Sequence, residues 1–478
     1  MNDHIITGKL LKARGWPEGK VIGLAKSAGA TLQAQGIERA QVLDRLDAVR
    51  ENPTIFLADA VLSSLAQSCL SHVKVERARY DDKLRESPIA FRTWGAEGID
   101  QGAIDQMNNA ARLPVAAAGA LMPDAHIGYG LPIGGVLAVK DAVIPYAVGV
   151  DIACRMRISI YEASPHILGQ KKAQLEKALL DNTGFGMAVK FSGDERREHD
   201  VLDDPAWNSS KLLKSLHFKA RDQLGTSGSG NHFVEWGEFE LKQHSKDLGL
   251  QAGKYLALLS HSGSRGIGHK IANEFSRLAM DAHPHLPPSV KHLAWLPLDS
   301  AEGQEYWIAM ELAGRFASAC HHKIHETVAK AAGLTEIAAV ENHHNFAWRE
   351  ELEDGTPVIV HRKGATPAGV GVLGIIPGSM ADAGYVVRGR GVAESLNSAS
   401  HGAGRKMGRK AAIKALTHRQ RDKYLQDRGV TLIGGGLDEA PQAYKDIEEV
   451  IAAQSDLVDI IGKFSPKLVR MANEPGDI

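Results

Sequence analysis

The chain has 478 residues, 44% hydrophobic and 24% charged, with a formal net charge of −1. This near-average composition excludes disordered and fibrous classes, and the length leaves room for two or three domains. So small a net charge supplies no global field for nucleic acid, so any RNA contact must rest on local basic patches. No apolar run approaches the roughly 18 residues of a membrane span. The opening Met1-Asn-Asp-His-Ile-Ile6 lacks the basic-then-apolar order of a secretory signal. Cys69, Cys154 and Cys320 are odd in number and far apart, which argues against a disulfide framework and for a reducing, cytoplasmic setting.

From residue 7 to about 90 the pattern is helical, with Glu38-Arg39 and Asp44-Arg45 on the polar side and Pro17 and Gly19 where one helix gives way to the next. The spacing predicts a helical N-terminal extension over 1–90 ahead of a catalytic domain over 91–478. The extension resembles a small helical segment near the C-terminus of some tRNA nucleotidyltransferases. A stabilising appendage is the alternative.

Beyond residue 115 the texture changes to short strand-like runs separated by glycine loops. Arg155–Tyr161 alternates polar with apolar, the period of a half-buried strand. Similar strands are expected at 134–139, 232–236, 254–259, 337–340, 358–361 and 385–387. Apolar residues from Tyr306 to Val328 recur at three or four, which predicts one amphipathic helix over 305–330 with Cys320 on its buried stripe. Neighbours His321 and His322 point about 100° apart on such a helix, which disfavours a shared metal. The segments 192–210 and 282–300 read as polar or proline-rich loops. Arg405-Lys-Met-Gly-Arg-Lys410, continued by Lys414, His418, Arg419 and Arg421, is either an RNA-binding patch or a solvated helix face. The fold class expected is mixed α+β.

The chain is organised around the run from Met122-Pro-Asp-Ala-His126 to Gly149-Val-Asp151-Ile-Ala-Cys154. Among 21 histidines, four lie in short segments rich in Gly, Ser and Asn: around His232, His261, the pair His343-His344, and His401. Such segments let backbone approach a ligand closely. Asp151 and Cys154 with these imidazoles form a mixed S, N, O donor set suited to Mn, Fe, Co or Zn, and a thiolate can bridge two ions. Two ions about 4 Å apart favour phosphoryl chemistry. His401 differs, since it projects from Ser400-His-Gly-Ala-Gly-Arg405, a tight turn with a guanidinium beside it. That setting suits nucleophilic attack on a nucleotide phosphate.

These motifs, in order, resemble the RtcB family of RNA-splicing ligases: Pro123-Asp-Ala-His-Ile-Gly-Tyr-Gly130, Gly149-Val-Asp-Ile-Ala-Cys154, Gly230-Asn-His-Phe-Val-Glu235, His261-Ser-Gly-Ser-Arg265, His344-Asn345, Gly374-Ile-Ile-Pro-Gly-Ser379, His401-Gly-Ala-Gly-Arg405 and Ala443-Tyr-Lys-Asp446. The resemblance spans about residues 115 to 465. It implies a centre of two Mn²⁺ ions, guanylylation of a histidine by GTP, transfer of GMP to an RNA 3′-phosphate, and attack by a 5′-hydroxyl. A 2′,3′-cyclic phosphate end would first be opened to the 3′-phosphate, and an archease-type activator is an implied partner. Cys154 would then be shared by both metals, Asp151 and His232 would serve one, and His261 and His344 the other. His401 would be the nucleophile and Asp124 its orienting partner. Asn231, Glu235, Ser379 and Tyr444 would contact GMP, and Arg265 and Arg405 RNA phosphates.

Three departures bear on nucleotide selectivity. The family's usual lysine-glycine tail, whose Lys meets the guanine, is absent with no Lys in register, so the expected preference for GTP over ATP is weaker than is usual for the family unless Arg470 or Lys467 takes that place. Gly384 stands where a second nucleotide-contacting Ser is usual, and Ile144-Pro-Tyr-Ala-Val-Gly149 replaces a more glycine-rich stretch. A dinuclear metallophosphatase or nuclease, or a metal-stabilised RNA-binding protein without catalysis, are the alternative readings.

Overall fold

The computed structural model describes residues 6–17, 19–57, 59–77 and 82–473. The first five residues, which bear on the signal-peptide expectation, and 474–478, the end of the altered tail, lie outside them. The chain divides into two compact units, Met1–Asp81 with Pro297–Gln304, and Asp82–Leu296 with Glu305–Ile478. Among the described residues no helix is long and apolar enough to cross a membrane.

The smaller unit is helical. Thr7 caps Gly8–Ala13 by accepting from the Leu10 amide, and Gly19 (φ +109) turns the chain into Lys20–Ala34. Arg39–Glu51 and Ser63–Arg77 follow. Leu11, Trp16, Val42, Leu46, Leu62 and Leu65 form a core of their own. The Trp16 indole donates to Asp47 across 2.8 Å, which satisfies the one polar atom that ring buries. The division falls before residue 82, where the sequence pattern placed it near 90. Arg85 explains the difference, because its guanidinium donates to the carbonyls of Leu113, Pro114 and Ala116 and ties the 82–90 stretch to the larger unit.

The larger unit is built on two sheets. One runs in the order Phe91–Thr93, Ala116–His126, Ile133–Val139, Pro357–Lys363, Asn345–Glu351. The other runs Leu373–Ile376, Gly384–Gly389, Val458–Met471, Phe233–Leu241, Gly253–Ser262, Arg155–Tyr161, Glu336–His343, with Thr431–Ile433 paired to Val458–Met471. On one face of this second sheet Val234, Trp236, Leu256 and Leu258 pack against Ile324 and Val328 of the helix Ala301–Ala332, the helix expected from its apolar spacing. Each such fully buried side chain contributes roughly 1.5–3 kcal/mol. Met156, Ile158, Phe233, Phe239 and Val469 bury the other face.

This arrangement sets the site. Arg155–Tyr161 pairs with Gly253–Ser262 on one side and Glu336–His343 on the other, so Arg155 lies opposite both Ser262 and His343. Cys154, His261 and His344 therefore meet at one end of three adjacent strands. Chain crossing from Glu336–His343 to Asn345–Glu351 changes sheet at His344. A third, two-stranded pairing of Ala365–Pro367 with Ser398–Ser400 delivers His401 to the same end.

Candidate active site

Cys154 Sγ lies 3.1 Å from His261 Nε2 and 3.4 Å from His232 Nε2, and His261 Nε2 lies 3.2 Å from His344 Nε2. Asp151 Oδ2 is 3.0 Å from His232 Nε2. Two overlapping donor groups result, Cys154–His261–His344 and Asp151–Cys154–His232, with the thiol in both. The His261 Nδ1–H donates to the Asn231 carbonyl at 3.0 Å, so its Nε2 carries a lone pair aimed inward. Burial holds His261 and His344 neutral, pushing both well below the usual imidazole range. The two Nε2 atoms lie close enough to each other and to Cys154 Sγ to serve one cation together. Burial, and then the Asp151 charge, push the Cys154 thiol up, so a thiolate forms there only where a cation takes the proton's place. The donor chemistry thus fits divalent transition metals.

The backbone is shaped for this cluster. Ala153 adopts φ +56 between the two ligand candidates, a left-handed conformation that costs a non-glycine residue energy. Its amide donates to the Asn345 carbonyl at 2.7 Å, which holds the turn. Gly263 carries no side chain because a Cβ there would run into the Asp151 carboxylate.

His401 stands beside the cluster, its ring centroid 4.9 Å from that of His344. Its Nδ1 donates to Asp124 Oδ2 at 2.6 Å, and the amides of His401 and Gly402 donate to the same oxygen. Asp124 is fully buried at the end region of the strand Ala116–His126. Burial alone raises its pKa, yet the His401 imidazole and the Lys445 ammonium outweigh that and hold the carboxyl below its ordinary value. With Nδ1–H committed to the carboxylate, Nε2 presents its lone pair. Sequence reasoning missed Lys445, whose ammonium donates to the carbonyls of Pro123 and Ala125 on either side of Asp124. It was legible in the stretch Ala443-Tyr-Lys-Asp446, read only for its tyrosine.

A family model described as tRNA-splicing ligase RtcB matches residues 106–472. The chain belongs to the RtcB family. The RNA-splicing ligase RtcB1 of Escherichia coli (strain ATCC 25922) is 33% identical over 405 residues, which cover 78% of this chain and 95% of that relative. The tRNA-splicing ligase RtcB of Thermococcus kodakarensis is 32% identical over 462 residues, covering 82% and 93%. The RtcB match leaves the N-terminal helices outside it.

His401 opens into a cleft of about 880 Å³, which Asn231, Ser379, Arg405 and Tyr444 also line. Glu235 lies two residues beyond Phe233, a cleft-lining residue, on the same face of the strand. Its carboxyl is buried, Oε2 has no hydrogen-bond partner, and burial pushes its pKa well up. Arg405 has an acceptor on each of its three nitrogens: Met407 O, Glu439 with Tyr444 Oη, and Asp438 O. One Nη2–H is left over for a further acceptor. Arg265 is buried apart from the cleft lining, donating to Thr226 Oγ1 and the Gly186 carbonyl.

Neither Arg470 nor Lys467 lines the cleft that holds His401. Met471 lines the cleft, so Arg470, its neighbour on the strand, projects from the opposite face, where its guanidinium lies over the Phe185 ring at 5.6 Å. Lys467 lines a separate cavity with Arg428 and Lys463.

Proposed function

We propose that this chain is a Mn²⁺- and GTP-dependent RNA ligase that joins RNA 3′-phosphate or 2′,3′-cyclic phosphate ends to 5′-hydroxyl ends. The pairing of Asp124 with His401, at the mouth of the Cys154–histidine cluster, carries the reading. Neither a metallophosphatase nor a non-catalytic RNA-binding protein needs an imidazole with one nitrogen fixed to a buried carboxylate and the other free in a cleft.

Cys154 would hold both ions, Asp151 and His232 completing one shell and His261 and His344 the other. Bound there, the ions would neutralise charge on the phosphates. The His401 Nε2 lone pair attacks the α-phosphorus of GTP, forming a P–N bond as pyrophosphate leaves. Asp124 stabilises the positive charge that develops on the ring. An RNA 3′-phosphate oxygen then takes the GMP, which breaks the P–N bond and returns His401. Finally a 5′-hydroxyl attacks the activated 3′-phosphorus, and GMP departs. A cyclic end is first opened by water.

The unpartnered Glu235 carboxyl supports a nucleobase with ring and amino N–H donors, as guanine has, with Asn231, Ser379 and Tyr444 as further contacts. Arg265 and Arg405 remain assigned to RNA phosphates and an archease-type protein to activation, both on the resemblance alone. The reducing, cytoplasmic setting belongs to this proposal too.

Incubating the protein with Mn²⁺ and GTP labelled at the α-phosphate tests the reading. Acid-labile label should appear on the parent and be absent from His401→Ala, which should keep its metals and its fold. In Asp124→Asn, labelling should slow by at least tenfold, because an amide that donates to Nδ1 places the proton on Nε2. Undiminished end-joining by His401→Ala would sink the mechanism.

A further inference from the structure

Tyr129 is 71% exposed, yet it belongs to no loose loop. It sits in the turn between Ala116–His126 and Ile133–Val139 and lines the same cleft as His401. Its backbone is clamped from several directions. The Gln106 amide donates to the Gly128 carbonyl at 2.6 Å and its oxygen accepts from the Gly128 N–H at 3.0 Å. The buried Lys363 ammonium donates to the Tyr129 carbonyl. Gly130, at φ +73, packs so closely on His292 and Leu293 that even a Cβ would press on them. His292 meets the Tyr129 ring edge-on, with centroids 6.4 Å apart at 79°, and Tyr146 lies behind His292 at 4.8 Å.

An exposed large ring on a rigid mount forgoes burial without gaining freedom. That combination suits a ring whose face is reserved for a ligand. The cleft supplies complementary features: Ile127 is 56% exposed next to Tyr129, while Lys406, Arg409 and Lys410 line it with exposed side chains. Apolar or aromatic surface together with cations is what a single nucleic-acid strand requires, bases stacking on the one while phosphates meet the other. The T-shaped contact with His292 steadies the ring, most of which stays exposed.

We propose that Tyr129 is a stacking platform for a nucleobase of the single-stranded RNA adjoining the end to be joined. This rests on the ligase reading above and adds a substrate contact to it. Stacking is tolerant of base identity, so the contact would hold a strand end in the cleft without selecting sequence.

The test uses short single-stranded RNAs carrying 2-aminopurine, whose fluorescence is quenched on stacking, at the 3′-phosphate nucleoside in one probe and at the 5′-hydroxyl nucleoside in another. The parent should quench at least one probe, and which one identifies the end held. Tyr129→Ala should abolish that quench and raise the RNA KM on the order of tenfold, and Tyr129→Trp should restore both. Labelling of protein by α-labelled GTP, measured without RNA, runs alongside. Equal quenching by parent and Tyr129→Ala, in proteins that take the label, would overturn the platform. Tyr129-dependent quenching by a parent that takes no label would uphold the platform and overturn the ligase reading.

Discussion

Two groups of buried histidines pack against the strands Arg155–Tyr161 and Gly253–Ser262, one from the helix Ala301–Ala332 and one at the strand ends, and they are wired in opposite ways. His321 and His325 share the Ser260 hydroxyl, at 2.6 Å from His321 Nδ1 and 2.8 Å from His325 Nε2. His321 Nε2 donates to the Ser262 carbonyl and His325 Nδ1 lies 2.7 Å from Ser159 Oγ, so every ring nitrogen has a protein partner. In the group of His232, His261 and His344, one strand residue away, the inward nitrogens face a thiol and one another, and His232 Nδ1 and His344 Nδ1 have no partner. The first arrangement is complete as it stands. The second leaves buried nitrogens without a partner and gathers its inward donors around one thiol, which is how a candidate ligand site differs from a satisfied polar core.

The largest expected break in that contrast is Cys154→Ala. Removing the shared thiol should take bound Mn²⁺ from about two ions per chain to near none, read by metal analysis after gel filtration. Metal content equal to the parent's would remove Cys154 from the centre. His344→Ala should be milder, losing mainly one ion because that imidazole belongs to a single donor group; loss of both would show that the two shells form one cooperative unit. Smallest is Ser260→Ala, which leaves two buried imidazole nitrogens without a partner. It should lower stability by about 1–3 kcal/mol, seen in the melting temperature, with metal content unchanged. A drop in metal content there would erase the distinction between the two groups.

The sequence made the cluster legible because its residues sit where alternation stops. Arg155–Tyr161 has a plain period of two, and Cys154 immediately precedes it. Choosing between His343 and His344 rested on family position, and the structure adds the physical reason: adjacent residues at a strand end point to opposite sides. His343 turns toward Arg155, whose Nη2 is 3.2 Å away, and stacks on Trp348.

Other elements were masked by their composition. Ala116–His126 is a strand written largely in alanine and glycine, with Pro123 inside it, so it lacks the β-branched and aromatic residues that announce a strand. Val458–Met471 contains Gly462 and Pro466, which ordinarily demote a strand to an edge. The chain accommodates them with a register shift between Pro466 and Leu468 where it pairs with Phe233–Leu241. Because that strand went unread, so did the alternation that sends Arg470 away from the cleft and Met471 into it. The Tyr129 mount was illegible for another reason, since its clamps, Gln106 and Lys363, are far from it in sequence.

The position of Val458–Met471 has a consequence for how the protein is made. A ribosome delivers every histidine of the cluster, and all three strands that pair with this one, before residue 458 emerges. Until then Phe233–Leu241 keeps an open edge beside its metal-binding end, a template for pairing with a neighbouring nascent chain. Translation that stalls short of that point would release a product holding the whole set of metal donors but lacking the strand that closes the sheet around them.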